Sequence, residues 1–368
     1  MFDNIYKNKK VLVTGHTGFK GSWLTTWLLK LDADVFGVSI DIPTQPSMFD
    51  ELGLKDKITH YTEDIRNLDR MTEIIKEIKP DFVFHLAAQA IVSTSYSNPV
   101  DTITTNVIGT TNILEALKSS NHNCTAIMIT SDKCYDNVEW VWGYKETDAI
   151  GGKDIYSGSK GAAELVIKSY FNSFFSKKES NIRLASARAG NVIGGGDWAA
   201  DRIVPDCMRA WSENKIVEIR SPNATRPWQH VLEPLSGYLS LAQELSSTPK
   251  LNGESFNFGP NAKYNHSVKD LLEELSTYWN FKHIEDGYVI TDNVKFHEAG
   301  LLKLNCDKAL FYMRWTAVLD YKQLIRFTGE WYSNYYQDQT DIYSLTLSQI
   351  NDYEEEAFEK GIKWTIKK

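Results

Sequence analysis

Cysteine is scarce in this sequence and follows no pattern. The 368 residues contain four, Cys124, Cys134, Cys207 and Cys306, with no CxxC pair among them. That excludes a disulfide framework and a cysteine-based zinc cluster as the organising principle. No run of eighteen apolar residues occurs, so the sequence offers no candidate membrane span. The lysine-rich stretch from Met1 to Lys10 lacks the apolar core of a secretory signal. Excess positive charge is missing too: 40 Lys plus Arg stand against 48 Asp plus Glu, a formal net charge of −8. This argues against a general nucleic-acid binder, whose affinity rests on cations displacing phosphate counterions. There is no internal repeat, low-complexity linker or long charge run. What remains is a globular chain, 42% hydrophobic and 24% charged. It is expected in the cytoplasm and is long enough to divide into two domains.

The first half alternates short apolar runs with helical patterns. Strands are expected at Lys10 to Thr14, Asp34 to Ile40, Asp81 to Leu86 and Ala126 to Thr130. Helices are expected at Ser22 to Leu31, Leu68 to Lys79 and Asn106 to Ser119. Strict alternation of this kind predicts a parallel sheet with helices on both faces, and the unbroken apolar runs fit strands covered on both sides. From about Asn191 the texture changes. Gly194-Gly195-Gly196 and six later prolines punctuate shorter segments, with helices expected at Val268 to Trp279 and Tyr321 to Tyr336 and a solvated helix over Asp352 to Lys368. The predicted division is residues 1–190 and a smaller α/β lobe over 191–368.

Directly after the first strand stands Gly15-His16-Thr17-Gly18-Phe19-Lys20-Gly21, a GxxGxxG loop running into a helix. Such a loop lets the backbone approach a pyrophosphate, whose charge the helix N-terminus stabilises. An ordinary βα turn could also carry three glycines. The second strand, however, ends at Asp41, about twenty residues on, where a carboxylate accepts from an adenosine ribose and repels a 2′-phosphate. The expectation is therefore a Rossmann-type doubly wound sheet binding NAD. His16 and Lys20 could instead serve a phosphorylated cofactor, although a lysine at a helix start is more often solvated. A third strand is expected to close in Asp64-Ile65, where Asp64 meets the adenine amino group or acts only as a helix N-terminal acid.

Tyr156-Ser157-Gly158-Ser159-Lys160 sets a phenol and an ammonium four residues apart, on one face of a helix. There the lysine charge can lower the phenol towards a base working near neutrality. With the glycine loop and a strand ending in Ser131, the sequence resembles the extended short-chain dehydrogenase/reductase superfamily, and within it the nucleotide-sugar 4,6-dehydratases. The resemblance runs from Gly15 through Gly259. It implies a Ser131, Tyr156, Lys160 triad and a cofactor site of Gly15, Thr17, Gly18, Phe19, Gly21, Asp41, Asp64, Ile65 and Ala87, with Tyr156 and Lys160 also touching the cofactor. The segment His85 to Gln89 is similar to the one passing beneath the cofactor, with Gln89 near substrate. Arg188-Ala189-Gly190-Asn191-Val192-Ile193-Gly194 and Arg226-Pro227-Trp228-Gln229-His230-Val231 resemble the diphosphate motifs, which implies substrate roles for Asn191, Arg202 and Arg226. Glu233 stands where the family usually has Asp. Asp197-Trp198 and Arg202 to Pro205 are expected to wrap the nucleotide.

Thr130-Ser131-Asp132-Lys133 is the discriminating feature. Asp-Lys in place of the usual Asp-Glu resembles the CDP-glucose branch, as do Trp140-Val141-Trp142-Gly143-Tyr144 and the opening glycine loop. The resemblance implies C4 oxidation, elimination of water across C5 and C6, and hydride return to C6. Asp132 is then the C6 acid and Lys133 the C5 base. A lysine base and an aspartic acid donor must each start neutral, a state that a direct Asp–Lys ion pair would oppose, so the two side chains are expected not to pair in the productive complex. Cys134 has no base partner in sequence and reads as a small buried neighbour. The expected ligands are NAD and CDP-glucose or a related nucleotide sugar, in a homodimer or homotetramer packed through the Asn106 and Tyr156 helices. A 4-epimerase or 4-reductase would use the same loop and tyrosine–lysine pair without needing Asp132-Lys133. A non-catalytic dinucleotide sensor would keep only the fold.

Overall fold

The computed structural model describes residues 1–219, 221–261, 263–279, 281, 287–291, 301–338 and 341–366. Seven parallel strands form the central sheet: β1 (Lys10–Thr14), β2 (Asp34–Ser39), β3 (Thr59–Thr62), β4 (Phe82–His85), β5 (Cys124–Ile129), β6 (Ile182–Arg188) and β7 (Ser255–Asn257). Their order is β7-β6-β5-β4-β1-β2-β3, so the winding reverses between β1 and β4. In such sheets ligands lie beyond the carboxyl ends of the strands at that reversal. Every residue of β4 and β5 is buried, as expected for strands roofed on both faces.

Each face has its own helices. One carries α1 (Phe19–Lys30), whose residues 21–28 are all buried. The other carries α2 (Leu68–Ile78), α3 (Thr110–Lys118) and α4 (Ile155–Tyr170). α2 buries Met71, Ile74, Ile75 and Ile78, a single 3.6-period stripe, and starts where the Asn67 side chain accepts from the Arg70 N–H. The third strand ends at Thr62, short of the expected Asp64-Ile65; Asp64 lies beyond it, where it binds Arg66.

The later residues are not segregated from the sheet. After α5 (Ile203–Ser212), α6 (Leu232–Ser247) lies buried against β5 and β6, and β7 extends the sheet beside β6. Around these stand three small strand pairs and helices α7 (Val268–Ser276), α8 (Tyr321–Ser333) and α9 (Ile342–Glu359). The expected solvated tail helix is corrected. α9 ends at Glu359 and packs on α1, where Glu354 accepts from the Trp27 indole at 2.7 Å and pairs with Lys30. Trp364 is buried in a stack on Phe2. Residues 367 and 368 of that expected helix lie outside the described residues. Among the described residues no helix is long and apolar enough to cross a membrane.

Glu233, at the start of α6, ties these parts together. Its buried carboxylate accepts from the Val318 and Leu319 N–H groups at 2.9 and 2.6 Å and from the Tyr353 hydroxyl at 2.8 Å. Burial nevertheless raises this carboxyl from 4.5 to about 7. Between those values the folded chain binds more protons than the unfolded one, so this group's contribution to stability falls as pH rises and is lowest above about 7. Replacing Glu233 by Gln removes that slope. Thermal melts across the window should show the variant gaining on the wild type as pH rises; a constant difference would refute the assignment.

Candidate active site

The glycine loop closes on itself. A Cβ at Gly21 would meet the Gly15 carbonyl oxygen at 2.1 Å, so α1 approaches the turn closely enough to present its first N–H groups at the end of β1. Gly18 is the N-cap residue and Phe19 the first residue of the helix. Thr17 binds the end of β2, its hydroxyl donating to the Asp41 carbonyl at 2.7 Å, which places the exposed Asp41 beside the loop. The Ala87 N–H donates to Thr14 at the carboxyl end of β1. Ile65 packs on Gly109, while Asp64 sits in a 2.7 Å pair with Arg66. Burial alone would raise the Asp64 carboxyl, but the Arg66 hydrogen bonds outweigh it and hold it below its usual value.

The alternative of a phosphorylated cofactor finds no support in His16. The ring is fully buried, linked to Ser39 at 3.0 Å and to His60 at 2.7 Å, and burial with the His60 charge lowers it to about 3. It is a neutral packing residue near pH 7. Lys20 is not solvated as expected either. It is partly buried and faces Arg202, Asp132, Lys160 and Asp197 across the cleft.

At the end of β5 the chain turns through Ser131, Asp132 and Lys133, and α4 delivers Tyr156 and Lys160. Asp154 caps α4 by accepting from the Ser157 N–H at 2.9 Å, which fixes the first turn carrying Tyr156. The phenol hydrogen-bonds Ser131. Ser131 also donates to the Asp132 carboxylate at 3.0 Å and accepts from the Lys133 N–H. Asp132 is 3% exposed, and its other oxygen lies 3.5 Å from the Asn191 amide nitrogen. Among the described residues no ion pair joins it to Lys133.

The phenol does not become basic near neutrality through Lys160 alone. Burial lifts Tyr156 to about 12 against the lowering from Ser131, and burial lowers Lys160 to about 8. Desolvation disfavours both charges, and the Lys160 ammonium stands 6.0 Å from the phenol ring centre. Cys134 is fully buried and its thiol is pushed up, consistent with an inert neighbour.

Of the residues expected near substrate, Asn191 and Arg202 reach this centre. Asn191 takes the left-handed conformation, φ 53°, which asparagine tolerates well. Arg202 pairs with Asp197 at 2.8 Å and contributes to the field at Tyr156. Gln89 has its amide bound to Thr102 and to the Ile91 N–H, beside Asn106. Arg226 stands in a two-residue pairing with His266. Trp198 is 3% exposed, packed among Trp331, Tyr332 and Tyr335.

The family model for GDP-mannose 4,6-dehydratase matches residues 12–328. The chain belongs to the GDP-mannose 4,6-dehydratase family. The CDP-glucose 4,6-dehydratase of Salmonella typhimurium is 43% identical over 354 residues, covering 95% of this chain and 97% of the relative. The CDP-paratose 2-epimerase of Salmonella typhi is 27% identical, over 74% of this chain and 85% of its own length. The fold matches that of a dTDP-glucose 4,6-dehydratase from Bacillus anthracis solved with NAD. Its TM-score is 0.73 at 19% identity, covering 89% of this chain and 97% of the other. A UDP-glucose 4-epimerase structure from Stenotrophomonas maltophila gives 0.77 at 19% identity, over 90% and 100%.

Sequence reasoning missed Gly190, Glu164 and the task of Arg188. Arg188, which opens the segment expected to meet the diphosphate, is itself buried and bound to Glu164 at 2.7 Å. The position of Glu164, four residues after Lys160 on the same helix face, was the available signal. Gly190 presses on the acid: a Cβ there would lie 1.9 Å from the Asp132 carboxylate. Gly190→Ala should therefore displace Asp132 and cut turnover by about 10²-fold with little change in melting temperature. Turnover within twofold of wild type would show that the carboxylate position is not critical.

Proposed function

We propose that the protein converts CDP-glucose to CDP-4-keto-6-deoxyglucose by NAD-dependent 4,6-dehydration. The observation that carries this reading is the buried Asp132 carboxylate set between Ser131 and Asn191 and next in sequence to Lys133, an acid and a base that epimerisation at C4 does not need. The relative of 43% identity over 95% of the chain supports the CDP-sugar.

The close-packed turn of Gly15 and Gly21 fits a pyrophosphate. Gly15, Thr17, Gly18, Phe19 and Gly21 would hold NAD there, with Asp41 on its ribose and Asp64, Ile65 and Ala87 along its adenine and nicotinamide halves. Bound NAD supplies a hydride acceptor for C4, a donor for C6 and a positive ring charge. Tyr156 takes the C4 hydroxyl proton, and the Ser131 hydroxyl steadies the carbonyl oxygen that forms. The resulting ketone acidifies C5–H. Lys133 removes that proton, Asp132 protonates the C6 hydroxyl so that water leaves, and C5 is reprotonated after reduction at C6. Lys160 holds the reacting phenol in a cationic field. Gln89 borders the sugar, Asn191 and Arg226 meet the substrate diphosphate, and Arg202 helps wrap the nucleotide.

We assign residues 1–190 to NAD and chemistry, residues 191–368 mainly to the nucleotide sugar, and the protein to the cytoplasm. A second copy of the chain is the partner for the exposed apolar side chains Tyr96, Val100, Ile103 and Ile108, together with Leu165 on α4. Val100→Glu with Leu165→Glu should convert a dimer or tetramer into smaller species by light scattering; unchanged mass would reject this face.

Incubation with CDP-glucose and NAD should yield a product lighter by one water with no net NADH, and turnover should be slower with dTDP- or GDP-glucose. An isomer of unchanged mass would indicate an epimerase instead. Lys133→Met should still oxidise C4 but lose exchange of the C5 hydrogen with solvent deuterium; retained exchange would sink the base assignment.

A further inference from the structure

Lys20 remains unexplained by the loop it stands in, since the turn and the helix N-terminus work through backbone alone. It is the second residue of α1, three before Trp23 and so on the same side of the helix. The Trp23 indole donates to the Gly195 carbonyl at 2.9 Å, so this side faces the 194–202 segment. The Lys20 ammonium lies in the field of Arg202 and Asp197 from that segment, of Asp132 beyond β5 and of Lys160 on α4.

Both nearby carboxylates have partners of their own. Asp197 pairs with Arg202 at 2.8 Å, and Asp132 accepts from Ser131 and Asn191. Lys20 makes no hydrogen bond or ion pair with any described residue. Lys20 and Lys160 thus share a space in which Asp197 is already paired with Arg202 and Asp132 is held by Ser131 and Asn191. Burial first, and Arg202 second, lower the Lys20 ammonium to about 8. A partly buried cation without a counter-ion is costly, and an incoming anion relieves that cost.

We propose that Lys20 is a diphosphate-binding residue, its ammonium pairing with a phosphate oxygen in the space between the glycine loop and the 194–202 segment. This rests on the reading of the site as a nucleotide-sugar dehydratase. A diphosphate is common to NAD and to the sugar nucleotide, so separate titrations identify the source.

Full-length wild type, Lys20→Met and Lys20→Arg are titrated calorimetrically with CDP alone and with NAD alone. Lys20→Met should weaken one of the two by about 10- to 100-fold, the range of a charge-assisted hydrogen bond, and Lys20→Arg should recover most of it. Loss for CDP assigns the contact to the substrate, and loss for NAD to the cofactor. Methionine keeps the stem and removes the unpaired charge, so the variant should melt no lower than the wild type; Lys20→Gln serves as a second neutral variant if it does. Affinities within twofold of wild type for both ligands in a folded neutral variant overturn the inference alone. A wild type that binds neither ligand overturns the dehydratase reading and this inference with it.

Discussion

The ion pair between Glu164 and Arg188 holds the catalytic centre together. Both side chains are 2% exposed, and the guanidinium grips the carboxylate through two nitrogens, at 2.7 and 3.0 Å. Thr130 and Ser186 add hydroxyl donors to the same carboxylate, and Arg188 reaches on to the Tyr135 hydroxyl, which donates to Asn257. One network therefore binds α4 to the carboxyl ends of β5, β6 and β7. Several of the residues proposed for the chemistry stand close to it: Ser131 and Asp132 after Thr130 and Lys160 one turn before Glu164, with the proposed substrate contact Asn191 just after Arg188. Removing one partner of such a pair strands a buried charge and costs about 3–5 kcal/mol. The penalty would fall on the geometry of the site before it reached the rest of the fold.

The second constraint is the fixed position of α1 against the later part of the chain. Trp23 holds Gly195, Gly195 lies against Trp331 with no room for a Cβ, and Glu354 holds Trp27 and Lys30 from α9. The helix whose N-terminus faces the cofactor turn is thus locked to the segment that carries Asp197 and Arg202. On the proposed function one rigid element would set both the cofactor and the substrate side of the cleft, which would suit a hydride that leaves C4 and returns to C6 without the ligands separating.

β1, β2, β4 and β5 were legible because they are largely apolar runs covered on both faces, whereas β6 and β7 were not read from the sequence and β3, a short polar stretch, ends before the expected Asp64-Ile65. The glycine turn and the Tyr156–Lys160 pair were legible because their spacing is the geometry itself. Long-range partners were not. Nothing local shows that Trp198 enters an aromatic cluster with Trp331, or that Trp364 stacks on Phe2 from the far end of the chain. The mixed charges of the tail suggested solvent, while the structure spends Glu354 on Trp27 and buries Tyr353 beside Glu233. Lys20 was misplaced for a related reason: a helix start is exposed in isolation, and here another part of the chain covers it.

The phenol at Tyr156 shows how these constraints meet the chemistry. Burial raises it to about 12 and lowers both Lys160 and Lys20 to about 8, so the protein alone opposes the charges that the reaction uses. A chain of net charge −8 also provides no general attraction for diphosphates. Bound ligands change both terms. A diphosphate paired with Lys20, as proposed, would favour the protonated lysine, and the Arg202 charge favours the phenolate. On the proposed mechanism, charge on Tyr156 would therefore be cheapest when cofactor and substrate are both in place, which would couple its ionisation to the assembly of the complex.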